Sequence, residues 1–364
     1  MDASPLFQPF QLKTLDLPNR IVMAPMTRRF SPGGIPDAAV ARYYSRRAQG
    51  GVGMIITEGT TIGRPAASND DSIPNFHAPA SLAGWARVVE AVHQAGGKIA
   101  PQLWHQGLLR KAGSGPAPEA PSEGPFATQA DARAMSDADI ADTIAAFATA
   151  AAAAQRIGFD AVELHGAHGY LIDQFLWAET NRRNDGYGGD VAERTRFATE
   201  VIRAVRRAVG PDFPILLRYS QWKVQDYGAR LAQTPAELER LLTPLSDAGV
   251  DIFHASTRRF WVPEFDGSDL NLAGWTRKLT GKPAISVGSV GLQDADFVEQ
   301  LLGASSGAPI GALDDLIRRM QNREFDLVAV GRALITDPDW PSKVRLGRRD
   351  ELRPFEKSQL AELV

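Results

Sequence analysis

Ala161-Val162-Glu163-Leu164-His165-Gly166-Ala167-His168-Gly169-Tyr170 begins as an apolar strand and ends in polar rings. Two histidines stand three residues apart, and a tyrosine follows two residues after the second. All three rings can donate a hydrogen bond to an oxygen, and any of them could move a proton. A lone histidine beside an apolar strand is more often a satisfied core residue. Two of them with a tyrosine, interleaved with glycine at a strand end, favour a site.

Working outward, the same kind of run recurs. Apolar segments of strand length lie at 21–24, 54–57, 99–103, 161–164, 215–217, 252–254, 284–287 and 327–330. Most are rich in Val and Ile and lack alternation, as expected of parallel strands buried on both faces. Helical patterns fall between them, at 38–47, 82–94, 137–156, 191–209, 235–247 and 292–302. Ser81, Ser136 and Thr234 read as their N-caps, and Gly96, Gly158, Gly210, Gly249 and Gly303 as their stops. Eight such alternations predict an α/β fold, a (β/α)₈ TIM barrel in which 1–364 form a single domain. A short β-hairpin over 6–17 precedes it. A doubly wound open sheet is the alternative, but no Gly-x-Gly-x-x-Gly follows the first strand. The segment 107–130 after the third strand is rich in Gly, Pro, Ala and Ser and reads as a long lid loop. The segment 303–323 is long enough to hold an extra helix.

Composition narrows the function. Of 364 residues, 44% are hydrophobic and 23% charged, an ordinary globular balance. A net charge of -3 argues against nucleic acid as a partner. The pairs Arg206-Arg207, Arg258-Arg259, Arg318-Arg319 and Arg348-Arg349 are scattered, and most read as solvated helix faces. The absence of cysteine removes disulfides, thiol nucleophiles and iron–sulfur clusters. Met1-Asp2-Ala3-Ser4-Pro5 has no signal-peptide character, and the alanine-rich 145–154 is too short to span a bilayer. The expectation is a cytoplasmic protein without a membrane partner, monomeric or homodimeric.

In a barrel all strand C-termini converge on one mouth. They supply Ala24-Pro25-Met26-Thr27-Arg28, Thr57-Glu58-Gly59-Thr60, Gln102-Leu103-Trp104-His105, the histidine pair, Arg218-Tyr219-Ser220, Gly288-Ser289 and Gly331-Arg332. Glycine amides beside the cationic Arg332 suit a phosphate. Gln102 suits a planar imide-like edge, Thr27 offers a hydroxyl, and Arg218 is a permanent cation for an anionic ring. A flat, phosphorylated heterocycle that becomes anionic would use them all, and reduced flavin mononucleotide is such a ligand. A metal held by Glu163, His165 and His168 is the competing reading.

The chain resembles the Old Yellow Enzyme family of flavin-dependent ene reductases. The resemblance rests on Leu6-Phe7-Gln8-Pro9-Phe10, Asn19-Arg20-Ile21-Val22-Met23-Ala24-Pro25-Met26-Thr27-Arg28 and Gln102-Leu103-Trp104-His105-Gln106-Gly107. It continues through Glu163-Leu164-His165-Gly166-Ala167-His168-Gly169-Tyr170 and Asn181-Arg182-Arg183-Asn184-Asp185-Gly186-Tyr187-Gly188-Gly189 to Val330-Gly331-Arg332. It implies non-covalent FMN, NADPH or NADH as reductant, and hydride transfer to an activated alkene such as an enone. It further implies that Pro25, Met26, Thr27, Gly59, Gln102 and Arg218 contact the flavin ring system. Gly288, Ser289, Gly331 and Arg332 would hold the phosphate. His165 and His168 would grip the substrate carbonyl oxygen beside Trp104, with Tyr170 as proton donor.

The chain departs from the commoner family pattern at Tyr219-Ser220-Gln221-Trp222-Lys223, at Ser256-Thr257-Arg258-Arg259-Phe260-Trp261 and at Asp190-Val191-Ala192-Glu193-Arg194. The first two lie on the catalytic face and bear on substrate size and nicotinamide preference. Arg258 and Arg259 are candidates for an NADPH phosphate or an acidic substrate. A flavin-covering C-terminal segment is expected to be abbreviated after Phe355. A non-catalytic flavin carrier is the other rival reading.

Overall fold

The eight apolar runs become eight parallel strands that close on themselves. The computed structural model describes residues 2–127, 130–293, 307–308 and 310–364. The barrel strands are β1 (Ile21–Met23), β2 (Met54–Thr61), β3 (Lys98–Trp104), β4 (Val162–His168), β5 (Ile215–Lys223), β6 (Ile252–Ser256), β7 (Ala284–Val287) and β8 (Leu327–Val330). Each pairs with its sequence neighbour, and Val328 pairing with Ile21 closes the ring. Closure excludes the open doubly wound sheet. Helices Ala38–Gln49, Pro79–Gln94, Asp137–Arg156, Arg196–Val209 and Pro235–Ala248 return the chain between strands, as the sequence implied.

Side chains alternate along the strands, so one residue in two enters the barrel. Ala100, Ala161, Leu216 and Ile252 form an apolar floor with Phe10, Leu15 and Leu17 of the hairpin Phe10–Leu12/Leu15–Leu17. Leu15 and Leu17 are fully buried there, each contributing about 1.5–3 kcal/mol. Two residues further along the same strands the inward positions turn polar: Gln102, Glu163, Arg218 and His254.

Local differences from the sequence reading have simple causes. Ser81 does not cap its helix, because Pro79 begins it and the Ser81 hydroxyl bonds instead to the carbonyls of Gly34 and Asn75. The helix read at 191–209 starts at Arg196 rather than 191, since Asp190 holds the amides of Ala192 and Glu193 in a turn. Ser136 forms a full capping box with Asp139, and Thr234 caps as expected. A helix at Leu272–Thr280, capped by Asn271, escaped the periodicity reading. Arg206 and Arg319 are not solvated: Arg206 bonds Asp251 and nearby carbonyls, and Arg319 joins Asp315 and Glu324. The helix read at 292–302 and the stop at Gly303 lie largely or wholly outside the described residues. The described part of 303–323 does contain a helix, Leu313–Gln321.

The long loop after β3 is firmly tied. Arg110 bonds the carbonyls of Ser68, Ser114, Ala117 and Ala120, and buried Glu123 gathers Arg64, His105 and Arg133. The C-terminal stretch also reaches the rim, where the Arg28 guanidinium donates to the carbonyls of Gln359, Leu360 and Glu362. Among the described residues, no helix is long and apolar enough to cross a membrane.

Candidate active site

The histidine pair is assembled by a break in strand regularity. Residues three apart on a strand face opposite sides. Here the β4–β5 register shifts between Gly166 and His168, and His168 takes a left-handed φ of 65°. The irregularity brings the His168 ring 5.2 Å from that of His165, with Tyr170 4.9 Å from His165. A non-glycine residue at such a φ is strained, and such strain persists only where the surroundings enforce it. Three contacts do so. His168 N–H donates to Ser220 Oγ at 2.9 Å, Gly169 N–H to Asp173 Oδ2 at 2.6 Å, and Lys223 Nζ to Asp173 Oδ1 at 2.7 Å. Lys223 and Asp173 are fully buried.

Aromatic walls flank the pair. Trp104 stacks on His165 at 6.0 Å and meets Tyr170 edge-on at 4.8 Å. Trp222 covers His168 at 4.4 Å. Burial, reinforced by the Arg218 charge, holds both histidines well below the ordinary imidazole pKa, so both are neutral. Burial also pushes the Tyr170 phenol above its usual value near 10, which keeps it protonated.

Below the pair lies a polar chain whose third member, His254, the sequence reading missed. Gln102 Nε2 donates to Glu163 Oε1 at 2.8 Å, and Glu163 Oε2 meets His254 Nδ1 at 2.6 Å. Both Glu163 oxygens are therefore engaged away from His165 and His168, and the metal trio is not assembled. His254 and Ser256 come level with Arg218 and Ser220 only through the pairing of β6 with β5, which the sequence of Ile252-Phe253-His254-Ala255-Ser256 does not display by itself. Arg218, in register with His165, donates to Ser256 Oγ at 3.2 Å. Burial lowers its pKa to about 10, so it remains a cation at neutral pH.

Across the mouth, Gly288, Ser289, Gly331 and Arg332 come together at the ends of β7 and β8. Arg332 Nη2 donates to Ser289 Oγ at 3.2 Å, and burial lowers the guanidinium to about 10. Gly288 has φ 146°, and a Cβ there would lie 2.6 Å from Thr257 Oγ1. Pro25 is buried, Met26 half-buried and Thr27 exposed at the end of β1. Gly59 has a tighter reason than expected: its Cβ would meet Trp104 Cε3 at 2.5 Å. The departing loops also gather here, with Arg258 stacked on Tyr227 at 4.5 Å and Tyr227 beside Trp222 at 6.0 Å.

The donor set fits FMN. Arg218 Nε, Trp104 Nε1 and His254 Nε2 are among the eleven buried side-chain polar atoms that lack a hydrogen-bond partner among the described residues. Unsatisfied buried polar atoms are costly, and these three belong to residues already gathered around the histidine pair, where a bound ligand could supply partners. A buried cation at Arg218 and a half-buried one at Arg332 match an anionic ring and a phosphate.

Comparison with known proteins agrees. Residues 5–302 match the NADH:flavin oxidoreductase / NADH oxidase family. An NADH oxidase from Thermoanaerobacter brockii is 35% identical over 362 residues, covering 96% of this chain but 52% of that protein. The chain thus spans about half of that relative. An NADPH dehydrogenase from Clostridium acetobutylicum is 34% identical, with 92% of each chain covered. The structure of morphinone reductase in complex with tetrahydroNAD superposes with a TM-score of 0.81 at 31% identity, covering 98% of this chain and 93% of that one. The chain belongs to the NADH:flavin oxidoreductase / NADH oxidase family, that of Old Yellow Enzyme, with FMN as its cofactor and NAD(P)H as reductant.

Proposed function

We propose that this protein is an ene reductase that reduces the activated C=C bond of α,β-unsaturated carbonyl or related compounds. The observation that carries the reading is the meeting of three neutral, proton-bearing rings, His165, His168 and Tyr170, beside a buried arginine. When bound, FMN supplies hydride chemistry, taking two electrons from NADH or NADPH and passing them to an electron-poor carbon. Pro25, Met26, Thr27, Gly59, Gln102 and Arg218 would hold its ring system, and Gly288, Ser289, Gly331 and Arg332 its phosphate.

Reduction of an enone builds negative charge on the carbonyl oxygen. His165 and His168 would donate to that oxygen, and one well-aimed donor is worth about 2.7–4 kcal/mol in the transition state. Their neutrality suits this role, since each presents an N–H without needing acid. Trp104 and Trp222 wall the alkene side. Tyr170 would deliver the proton to the α-carbon, and the Arg218 cation would favour charge build-up on the adjacent ring. A cytoplasmic setting, where NAD(P)H is supplied, belongs to the same reading.

The test is anaerobic. The yellow protein is bleached with NADH or NADPH, then mixed with enones, maleimides and nitroalkenes. Recolouring with one product formed per flavin supports the assignment; a reduced flavin indifferent to every alkene, yet reoxidised by oxygen, defeats it. Nicotinamide and alkene would occupy one site in turn, so initial-rate plots should give parallel lines.

A further inference from the structure

We propose that Ser256, at the end of β6, is a positioning residue that fixes the His168 imidazole in the tautomer bearing its proton on Nδ1. This rests on the histidine pair acting as the carbonyl clamp. A serine hydroxyl has one proton to donate and lone pairs to accept. Arg218 Nη2 lies 3.2 Å from Ser256 Oγ, and a guanidinium only donates, so Oγ accepts on that side. Oγ could accept a second bond, but among the described residues His168 Nε2 at 2.8 Å is the only acceptor bonded to this buried hydroxyl, so the hydroxyl proton is satisfied only by donating to it. An imidazole nitrogen that accepts carries no proton. The ring is neutral, because burial and the Arg218 charge hold its pKa down, and its single proton therefore sits on Nδ1.

The surroundings fix this arrangement from both sides. Ser256 is 2% exposed. Trp222 presses on the His168 ring at 4.4 Å, and its indole Nε1 donates to the Ser256 carbonyl at 3.1 Å. Ser256 and Trp222 both lie in stretches where the chain departs from the commoner family wording.

His165 is wired the opposite way. The Ala167 N–H points at His165 Nδ1 from 3.3 Å, which places the proton on Nε2. The clamp thus presents two different nitrogens to one oxygen, Nε2–H from His165 and Nδ1–H from His168. Ser256 also bridges the His168 ring and the Arg218 guanidinium, so the clamp and the cation that would face the flavin share one hydroxyl.

The test is ¹⁵N NMR of the imidazoles in the full-length, FMN-loaded protein. The chain has six histidines, and His168 is assigned by its loss in a His168→Asn variant. Native His168 should show protonated Nδ1 and bare Nε2. Ser256→Ala should lose that preference and raise the enone KM about tenfold, while Ser256→Thr, which keeps a hydroxyl, should restore both. An Nε2-protonated His168 in the native protein, or an Nδ1–H tautomer that survives Ser256→Ala, overturns the assignment. The clamp reading itself fails on a separate observation: His165→Ala and His168→Ala variants that bind the enone as tightly as the parent.

Discussion

The floor and the mouth of the barrel are built by the same strands two residues apart. Ala100, Ala161, Leu216 and Ile252 form the floor; Gln102, Glu163, Arg218 and His254 stand one layer above them. Both layers are buried to a similar degree, yet the floor holds only apolar groups and is sealed by Leu15 and Leu17. The upper layer carries the Arg218 cation and leaves Arg218 Nε and His254 Nε2 without partners among the described residues. Burial alone therefore does not separate stability from function in this molecule. Between these two layers, the difference lies in whether the buried polar atoms have bonding partners among the described residues.

That contrast can be broken, and the largest effect should come at the mouth. Tyr170→Phe should slow reoxidation of the reduced flavin by enones about 10²–10⁴-fold and spare reduction by NAD(P)H. Stopped-flow measurement of the two half-reactions checks this, and equal loss in both would make Tyr170 a structural residue. The floor should respond in stability instead: Leu15→Ala should cost about 2–5 kcal/mol in denaturant unfolding while leaving the enone KM unaltered. A shifted KM would mean that floor and mouth are coupled.

A third probe reads the polar load of the mouth through pH. Glu58, on β2 beside Gly59, receives the amides of Arg28 and Arg29, yet burial raises its pKa from 4.5 to about 7. Between those values the native state holds a proton that the unfolded chain has released, so stability should fall as pH rises through this window. Glu58→Gln should flatten that slope, an effect of about 3 kcal/mol at full deprotonation. A slope unchanged in the variant would assign it to other groups. The smallest effect is expected at the far rim: Arg332→Ala should weaken FMN retention about 10–100-fold, measured by flavin release on dilution. Retention equal to the parent would remove Arg332 from the phosphate site.

The sequence made much of this legible. All eight barrel strands were readable because a strand buried on both faces needs an unbroken apolar run, and such runs stand out in any composition. The residues at the strand ends followed, since a closed parallel barrel brings every C-terminus to one place. Thus Gln102, His165, Arg218, Ser289 and Arg332 could be named as neighbours although scattered over the whole chain. Helix starts were less reliable. At Ser81 and Val191 the local chemistry of Pro79 and Asp190 overrode the periodicity.

What only the tertiary structure decided lies in contacts between strands. Regular alternation would have sent His165 and His168 to opposite faces. The shifted register against β5, the left-handed backbone at His168 and the buried Asp173–Lys223 pair that enforces it bring the two rings together. Likewise His254 and Ser256 look like ordinary strand residues until β6 is placed beside β5, where they fall level with Arg218 and Ser220. The sequence by itself determined the barrel and its ring of polar strand ends, because those depend on each strand's own pattern. Pairing register determined which of those polar groups share a proton, because a hydrogen bond depends on tenths of an ångström between chains that sequence does not place.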